Sequence, residues 1–266
     1  SISDVLGTCS TAYASSGASR SGNIANGVSK INGHVLMPGE TLSGYECMHP
    51  FTIENGYFTA AAYENGQVVD SVGGGVCQIA TTLYDASLAA ELEITQRQNH
   101  SMIVTYVKPS MDAAIAGTYK DFKFVNSTEY PIYIEGYTTS DKKITFNIYG
   151  KETRDKNRTI SFESQMVSET PATTILQEDA GQGIGYKADS SKGSSGYVAE
   201  LYKIVKVNGV ETDRIKVNKS TYKGTNRVVT YGTAGDPTLS ENLRAAIAAQ
   251  DEALADANIA AAVPAQ

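Results

Sequence analysis

The chain of 266 residues has no tryptophan and only three cysteines, three histidines and seven prolines. It contains no run of 18 apolar residues, so no segment reads as a membrane-spanning helix. The pattern of a secretory signal peptide is absent as well. Basic residues are outnumbered, 22 against 29 acidic, for a net charge of −7 and an isoelectric point near 5.1. That balance excludes nucleic acid as a partner, because neutralising phosphates needs a basic face. No paired Cys or His stands at ligand spacing, so neither a metal nor another cofactor is expected. The glycines at 181, 183 and 185 lack a βαβ context and a following Lys-Ser/Thr, which excludes a nucleotide loop.

What the chain does have is glycine and tyrosine, 24 and 16 residues, a composition that leans toward β-structure and turns. Hydrophobic residues make up 41% and charged residues 19%, an ordinary globular balance. The length suits one large domain or two smaller ones. Ser1 opens abruptly onto a strand pattern over residues 5–13. It reads as the start of a segment cut from a longer chain, with an anchor upstream.

Residues 19–32 read as a helix, with Ile24, Val28 and Ile31 on one face and Ser19 or Ser21 as its cap. Pro38-Gly39 marks a turn. Residues 60–64 and 67–71 flank Asn65-Gly66, a strong hairpin signal. Gly73-Gly74-Gly75 follows, then the clearest helix, residues 77–92, with Val76, Ile79, Leu83, Ala86 and Ala90 on one stripe. Residues 100–107 and 120–125 read as strands, and 130–137 pairs with 143–149 around Ser140-Asp141.

The charged run 150–158 reads as a domain boundary. Beyond it, residues 159–233 are glycine-rich with few large apolar side chains, the texture of an elongated β module with extended stretches at 197–207 and 227–231. The tail is Ala-rich, a helix by propensity that is marginal or disordered when isolated. The expected organisation is α+β: a domain over 1–150, a β module over 151–235 and a tail over 236–266.

Three cysteines in a secreted chain suggest one disulfide and one free thiol. Cys77 stands where the glycine loop meets a helix, and free N–H groups there stabilise both a thiolate and an oxyanion. A Cys nucleophile needs a base. Of His34, His49 and His100, the last opens the strand after the helix and can fold back to the helix start. Asp112 is the first candidate to orient His100 and Asp121 the second, in the layout of papain-like and transglutaminase-like sites. Spacing alone equally allows Cys77 to be half of a disulfide with Cys9 or Cys47.

Ordered blocks over residues 1–150 resemble the VanW-like domain family: Arg20 with Asn23-Ile24, Pro38-Gly39-Glu40-Thr41, Glu54-Asn55-Gly56-Tyr57, Gly73-Gly74-Gly75-Val76-Cys77-Gln78, Thr81-Thr82-Leu83-Tyr84, His100-Ser101, Asp112-Ala113, Asp121-Phe122-Lys123-Phe124 and Tyr130-Pro131-Ile132. Residues 159–233 are similar, more loosely, to the five-glycine module that often follows such domains. The resemblance implies an L,D-transpeptidase that makes 3-3 peptidoglycan cross-links through a Cys77 thioester. It implies His100 as base then acid, Asp112 as its orienter, and an oxyanion held at Gly75–Gln78 by the Cys77 N–H and the Gln78 side chain. Arg20 becomes the candidate for a stem carboxylate, since its planar fork suits that group. Tyr186, Tyr197 and Tyr202 would offer stacking faces to glycan strands.

The implied location is outside the cytoplasm, in the wall of a Gram-positive bacterium, with membrane contact only through an anchor outside this chain. The chain departs from the family pattern at Cys9 and Cys47, where the expectation is a disulfide that leaves Cys77 free. Gln98-Asn99-His100 is a second departure, since relatives carry another histidine two residues before the equivalent of His100. Two other readings share these residues: a non-catalytic wall-binding adaptor, and a cysteine peptidase or amidase acting on stem peptides.

Overall fold

The computed structural model describes residues 2–64, 67–190 and 192–262. The Asn65-Gly66 turn lies outside the described residues. The chain is mixed α/β, mostly sheet with a few helices. It begins with β1 (Asp4–Ala12), α1 (Ala18–Ile31), β2 (Val35–Leu36), β3 (Thr41–Ser43) and α2 (Gly44–Met48). Ile24, Val28 and Ile31 form the buried stripe that makes α1 a helix here. Its cap is Gly17, without a side-chain bond, and Ser19 and Ser21 lie inside the helix rather than at its start.

The hairpin strands β4 (Thr59–Glu64) and β5 (Gln67–Val72) pair antiparallel and lead into α3 (Val76–Ala89). After it come β6 (Glu93–Gln96), β7 (Lys123–Val125), β8 (Ile132–Thr138) and β9 (Lys143–Gly150). The main sheet runs β1-β9-β8-β2, antiparallel at every step. Helix α3 packs on β1 and β9, and α1 packs on β8 and α3. Between them lies a core that includes Leu6, Ile79, Leu83, Ile134, Phe146 and Ile148. A smaller sheet has the order β3-β7-β6.

Residues 100–107 do not form the strand expected there. From 97 to 122 the backbone is irregular, with isolated bridges at Ala116. The physical reason is that side chains take the groups a ladder would use. The His100 N–H donates to Asp112, that of Ser110 to Tyr222, that of Ala113 to Thr81 and that of Ile115 to the Cys77 sulfur. Buried backbone donors need partners, and side chains supply them as well as strands do.

The second half contributes β10 (Arg158–Thr170), β11 (Thr174–Gly183), β12 (Lys187–Asp189), β13 (Gly196–Val207), β14 (Val210–Tyr222), β15 (Arg227–Ala234), α4 (Pro237–Ala248) and α5 (Glu252–Ala262). Asn208 and Gly209 join β13 to β14 with φ of 51° and 78°, the two positive values a tight hairpin turn of the primed kind requires. One sheet runs β10-β13-β14 and another β11-β15-β12. The chain divides into two compact units: Ser1–Ser168 with Val198–Tyr222, and Glu169–Tyr197 with Lys223–Gln266. In the second unit, α4 packs on β11 and β15, and α5 packs on α4. Leu243, Ala246, Ile247 and Ala255 of these helices share a core with Leu176, Val229 and Tyr231.

The charged run 150–158, read as a boundary, lies inside the first unit. Its arginines are committed to Glu91, just past the end of α3: Arg158 Nη1 lies 2.6 Å and Arg154 Nη1 3.5 Å from Glu91 Oε2, and Lys203 Nζ lies 3.0 Å from Oε1. Glu91 takes a φ of 55°, at the left-handed position that closes a helix and usually holds glycine, while Leu92 N–H reaches back to Ser87 O at 3.0 Å. The Arg158 hydrogen bond first, then Lys203, outweigh burial and hold the Glu91 carboxyl at about 2. A carboxyl depressed on folding adds stability above its unfolded value and loses it as pH falls through the folded one. Solvent screens the partly open pair, so Glu91→Gln should cost about 1 kcal/mol at neutral pH. Denaturant unfolding should show that difference shrinking as pH falls toward 2.

Candidate active site

The site is built at the start of α3. Gly73 and Gly75 have φ of 91° and 112°, left-handed backbone that turns the chain sharply into the helix. Gly74 lies against β4 so closely that a Cβ there would stand 2.6 Å from Ala61 O and 2.8 Å from Ala60 O. Buried Asn23 clamps the approach: its Nδ2 donates to Phe58 O at 2.9 Å and Gly74 O at 3.0 Å, and its Oδ1 accepts from Phe58 N at 2.6 Å.

Cys77 is the second residue of α3. The N–H groups on either side of it are spent, Val76 on Gly73 O and Gln78 on Gly75 O. Among the described residues none accepts from the Cys77 N–H. That donor is one of the orphan N–H groups a helix start leaves, and with the helix dipole it can stabilise negative charge. The sulfur lies 3.4 Å from Ile115 N and 3.5 Å from Ile115 O.

His100 is 5% exposed and stands beside Asp112, which is fully buried. Asp112 Oδ2 accepts from the His100 backbone N–H at 2.7 Å and lies 2.7 Å from His100 Nδ1. With Nδ1 on the carboxylate, Nε2 is the ring nitrogen left free to interact with the nearby Cys77, whose charge bears on the imidazole. Tyr106 closes over the imidazole edge-on, ring centroids 6.4 Å apart.

The electrostatics follow from this line of three. Burial disfavours the imidazolium, but hydrogen bonds to Asp112 and Cys77 and the charge on both outweigh it and push His100 up to about 9. Burial likewise disfavours the Cys77 thiolate, and the His100 bond and charge, Ile115 and the Lys120 ammonium together bring the thiol below its ordinary value. A lowered thiol is a thiolate at pH values where a free one is still protonated. The pH midpoint of Cys77 alkylation by iodoacetamide should thus lie below that of a free thiol. His100→Ala should move the midpoint of that profile upward, measured by intact-mass spectrometry.

The other expected site residues are placed differently. Gln78 is buried, and its Nε2 donates to Thr11 Oγ1 at 3.1 Å and Ala12 O at 2.9 Å, so both amide hydrogens are used and none faces an oxyanion. Its Oε1 accepts from Arg20 Nη2 at 2.9 Å, while Arg20 Nη1 donates to Ser16 Oγ at 2.7 Å. Gly75 caps α3 and serves the turn.

Asp121 does not bond His100: it accepts from Ser43 Oγ at 2.5 Å, Tyr45 N at 2.9 Å and Phe122 N at 2.7 Å, and so anchors the start of α2. Cys9 and Cys47 are free thiols, not a disulfide. Cys9 sits on β1, in the field of Asp85 on α3, whereas Cys47 lies on α2 with its sulfur 3.8 Å from His34 Nε2. Burial pushes their thiols up, to about 12 and about 11, so both stay protonated where the Cys77 thiol ionises.

Three site residues escaped the sequence reading of roles. Thr81, four residues after Cys77 on the same helical face, brackets Ala113 with bonds of 3.0 Å to its N and O, and helical spacing could have found it. Arg97 reaches Asp112 through Nε on its carbonyl at 2.7 Å and Nη2 on Oδ1 at 3.3 Å. Tyr222 donates its hydroxyl to Asp112 Oδ1 at 2.5 Å across 110 residues of sequence, a pairing with no local signal.

A cleft of about 870 Å3 lies alongside, lined by residues 12–20 and 60–62, Gln78, Thr105 and Tyr106. Arg20 is its charged side chain.

Comparison with known proteins defines the class. Residues 19–149 match the VanW-like protein family and residues 163–234 match the G5 domain, so the chain carries a VanW-like domain followed by a G5 domain. Over 129 residues it is 39% identical to the uncharacterised protein YoaR of Bacillus subtilis (strain 168), covering 48% of this chain and 43% of that one. Over 135 residues it is 27% identical to the vancomycin B-type resistance protein VanW of Enterococcus faecalis (strain ATCC 700802 / V583), covering 48% of each. The chain thus spans less than half the length of these curated relatives. Among solved structures, the G5 domain of an IgA1 protease is 22% identical with a TM-score of 0.25, over 32% of this chain and all of that one.

Proposed function

We propose that the chain is the catalytic and wall-binding part of a cysteine L,D-transpeptidase that makes 3-3 cross-links in peptidoglycan. The observation that carries this reading is the Cys77–His100–Asp112 line at the start of α3, with an unpaired N–H beside the sulfur. The Cys77 thiolate attacks the carbonyl joining a diamino acid to the terminal D-Ala of a tetrapeptide stem. The oxyanion is held by the Cys77 N–H. His100 Nε2–H gives its proton to the departing D-Ala amine, leaving a thioester and neutral imidazole. The amine of a neighbouring stem attacks the thioester, His100 takes its proton, and the thiolate leaves with the ion pair restored.

Asp112 keeps the proton on Nδ1 and supports the imidazolium, the division of labour found in triads generally. Arg20, in the cleft wall, would turn from Ser16 and Gln78 to meet a stem carboxylate. The G5-matched segment binds glycan strands. Tyr186, 40% exposed, offers it a stacking face, while the Tyr202 hydroxyl is engaged with Glu200 at 2.6 Å. The chain works outside the cytoplasm at the cell wall, in a full-length protein anchored to the membrane. No helix among the described residues is long and apolar enough to cross one.

The test incubates the protein and Cys77→Ala with disaccharide-tetrapeptide and reads the products by mass spectrometry. A dimer lacking one D-Ala, made by the wild type and absent with Cys77→Ala, is the expected result. Tripeptide without dimer would assign hydrolysis instead, and unchanged substrate would leave a binding protein.

A further inference from the structure

We propose that Tyr222, on the last residue of β14, is a positioning residue that holds the Asp112 carboxylate in line with His100, so that strands from the G5-matched stretch complete the site. This rests on the catalytic reading of Cys77 and His100 given above. Residues 218, 220 and 222 alternate along β14 and so share one face of the strand. Each grips the irregular 97–112 stretch. Asn218 Nδ2 donates to Ser110 O at 3.0 Å and to the Tyr84 hydroxyl at 2.8 Å. Ser220 Oγ accepts from Arg97 Nη1 at 2.9 Å. Tyr222, 2% exposed, accepts from Ser110 N at 2.7 Å and donates to Asp112 Oδ1.

The direction of that last bond is fixed by chemistry. A phenol has one proton, and the Ser110 N–H already points at its oxygen, so the proton is aimed at the carboxylate. Asp112 is then held at both oxygens, Oδ2 by His100 and Oδ1 by Tyr222 with Arg97. The terminal torsion of an aspartate is broad and soft, and holding Oδ1 by the longer Arg97 bond alone, at 3.3 Å, would leave the carboxylate room to pivot. Without the phenol, Oδ1 turns toward the donors that remain, Arg97 Nη2 and Ser110 N, and draws Oδ2 off the imidazole. Small displacements of this kind cost catalysis heavily.

The experiment is a double-mutant cycle in the full chain, Tyr222→Phe against Asp112→Asn, read by the iodoacetamide alkylation rate of Cys77 at pH 7 and by turnover of disaccharide-tetrapeptide. Tyr222→Phe keeps the ring and removes one hydroxyl. It should slow alkylation and lower kcat about tenfold with KM unchanged, and have no further effect once Asp112 is Asn. An alkylation rate equal to wild type, or an equal loss in both backgrounds, would overturn the proposal, because a residue that only packs acts the same with or without the carboxylate. If Tyr222→Phe yields no folded protein, Ser220→Ala, which releases the contact to Arg97, a partner of Asp112, and the weaker one to Asn218 while leaving the Tyr222 ring in place, goes through the same cycle and is read in the same way. Coupling in alkylation without any turnover would sink the transpeptidase reading alone. Turnover without coupling would sink the role of Tyr222 alone.

Discussion

Asp112→Asn is expected to lower turnover by a factor on the order of 10³ while leaving the fold intact. The asparagine is the same shape, so the loss is chemical. Oδ1 of Asp112 faces two donors, Tyr222 and Arg97, which will hold the amide oxygen of an asparagine on their side. Its NH2 must then face His100, where the backbone N–H and Nδ1–H both already donate. Donor meets donor. The imidazole escapes by moving its proton to Nε2, the nitrogen that should accept from Cys77, and the buried imidazolium loses its counter-charge. Two measurements check this: turnover by mass spectrometry, and a Cys77 alkylation midpoint that moves up in pH. An Asp112→Asn protein with near-wild-type turnover would remove Asp112 from the mechanism.

Gly74→Ala should have the largest effect on stability of any substitution near the site, about 3 kcal/mol, and should abolish activity with it. The Cβ would stand 2.6 Å and 2.8 Å from two backbone oxygens of β4, atoms that cannot swing aside as a side chain could. Relief requires the glycine loop to lift from the hairpin. That movement breaks the Asn23 clamp on Gly74 O and displaces the first turn of α3, which carries Cys77. Thermal unfolding should fall by several degrees, and Cys77 alkylation at pH 7 should drop toward the rate of a free thiol.

Much of the fold could be read from local pattern. The stripes Ile24-Val28-Ile31 and Ile79-Leu83-Ala86 gave α1 and α3, because each helix buries one face. The alternation in 130–137 and 143–149 gave β8 and β9 for the matching reason. The loop from 97 to 122 defeated the same logic. Met102, Val104 and Tyr106 alternate like strand residues, yet the backbone there is held by Thr81, Asp112 and Tyr222, none of which is a strand neighbour.

Within the site, Cys77 was legible from the glycine run and helix, and His100 and Asp112 were proposed from order along the chain. The structure brings those three together. Gln78 was misread because nothing in its neighbourhood reveals that β1 consumes its amide. Cysteine arithmetic misled in the same way: an odd count suggested a bridge, but Cys9 and Cys47 lie on β1 and α2 with different neighbours. Tyr222 lies 110 residues from its partner, and only the path of the chain in space could reveal it.

The helical hairpin of α4 and α5 bears on how such a chain could be shuffled between genes. The G5 match stops at residue 234, but the core of the second unit does not: Leu243, Ala246, Ile247 and Ala255 lie beyond it and cover Val229 and Tyr231. A recombination breakpoint at residue 235 would export a cassette with its apolar floor laid bare, prone to stick to its neighbours. The folding segment is therefore longer than the matched motif, and grafts of this module onto other proteins should keep the sequence through residue 262.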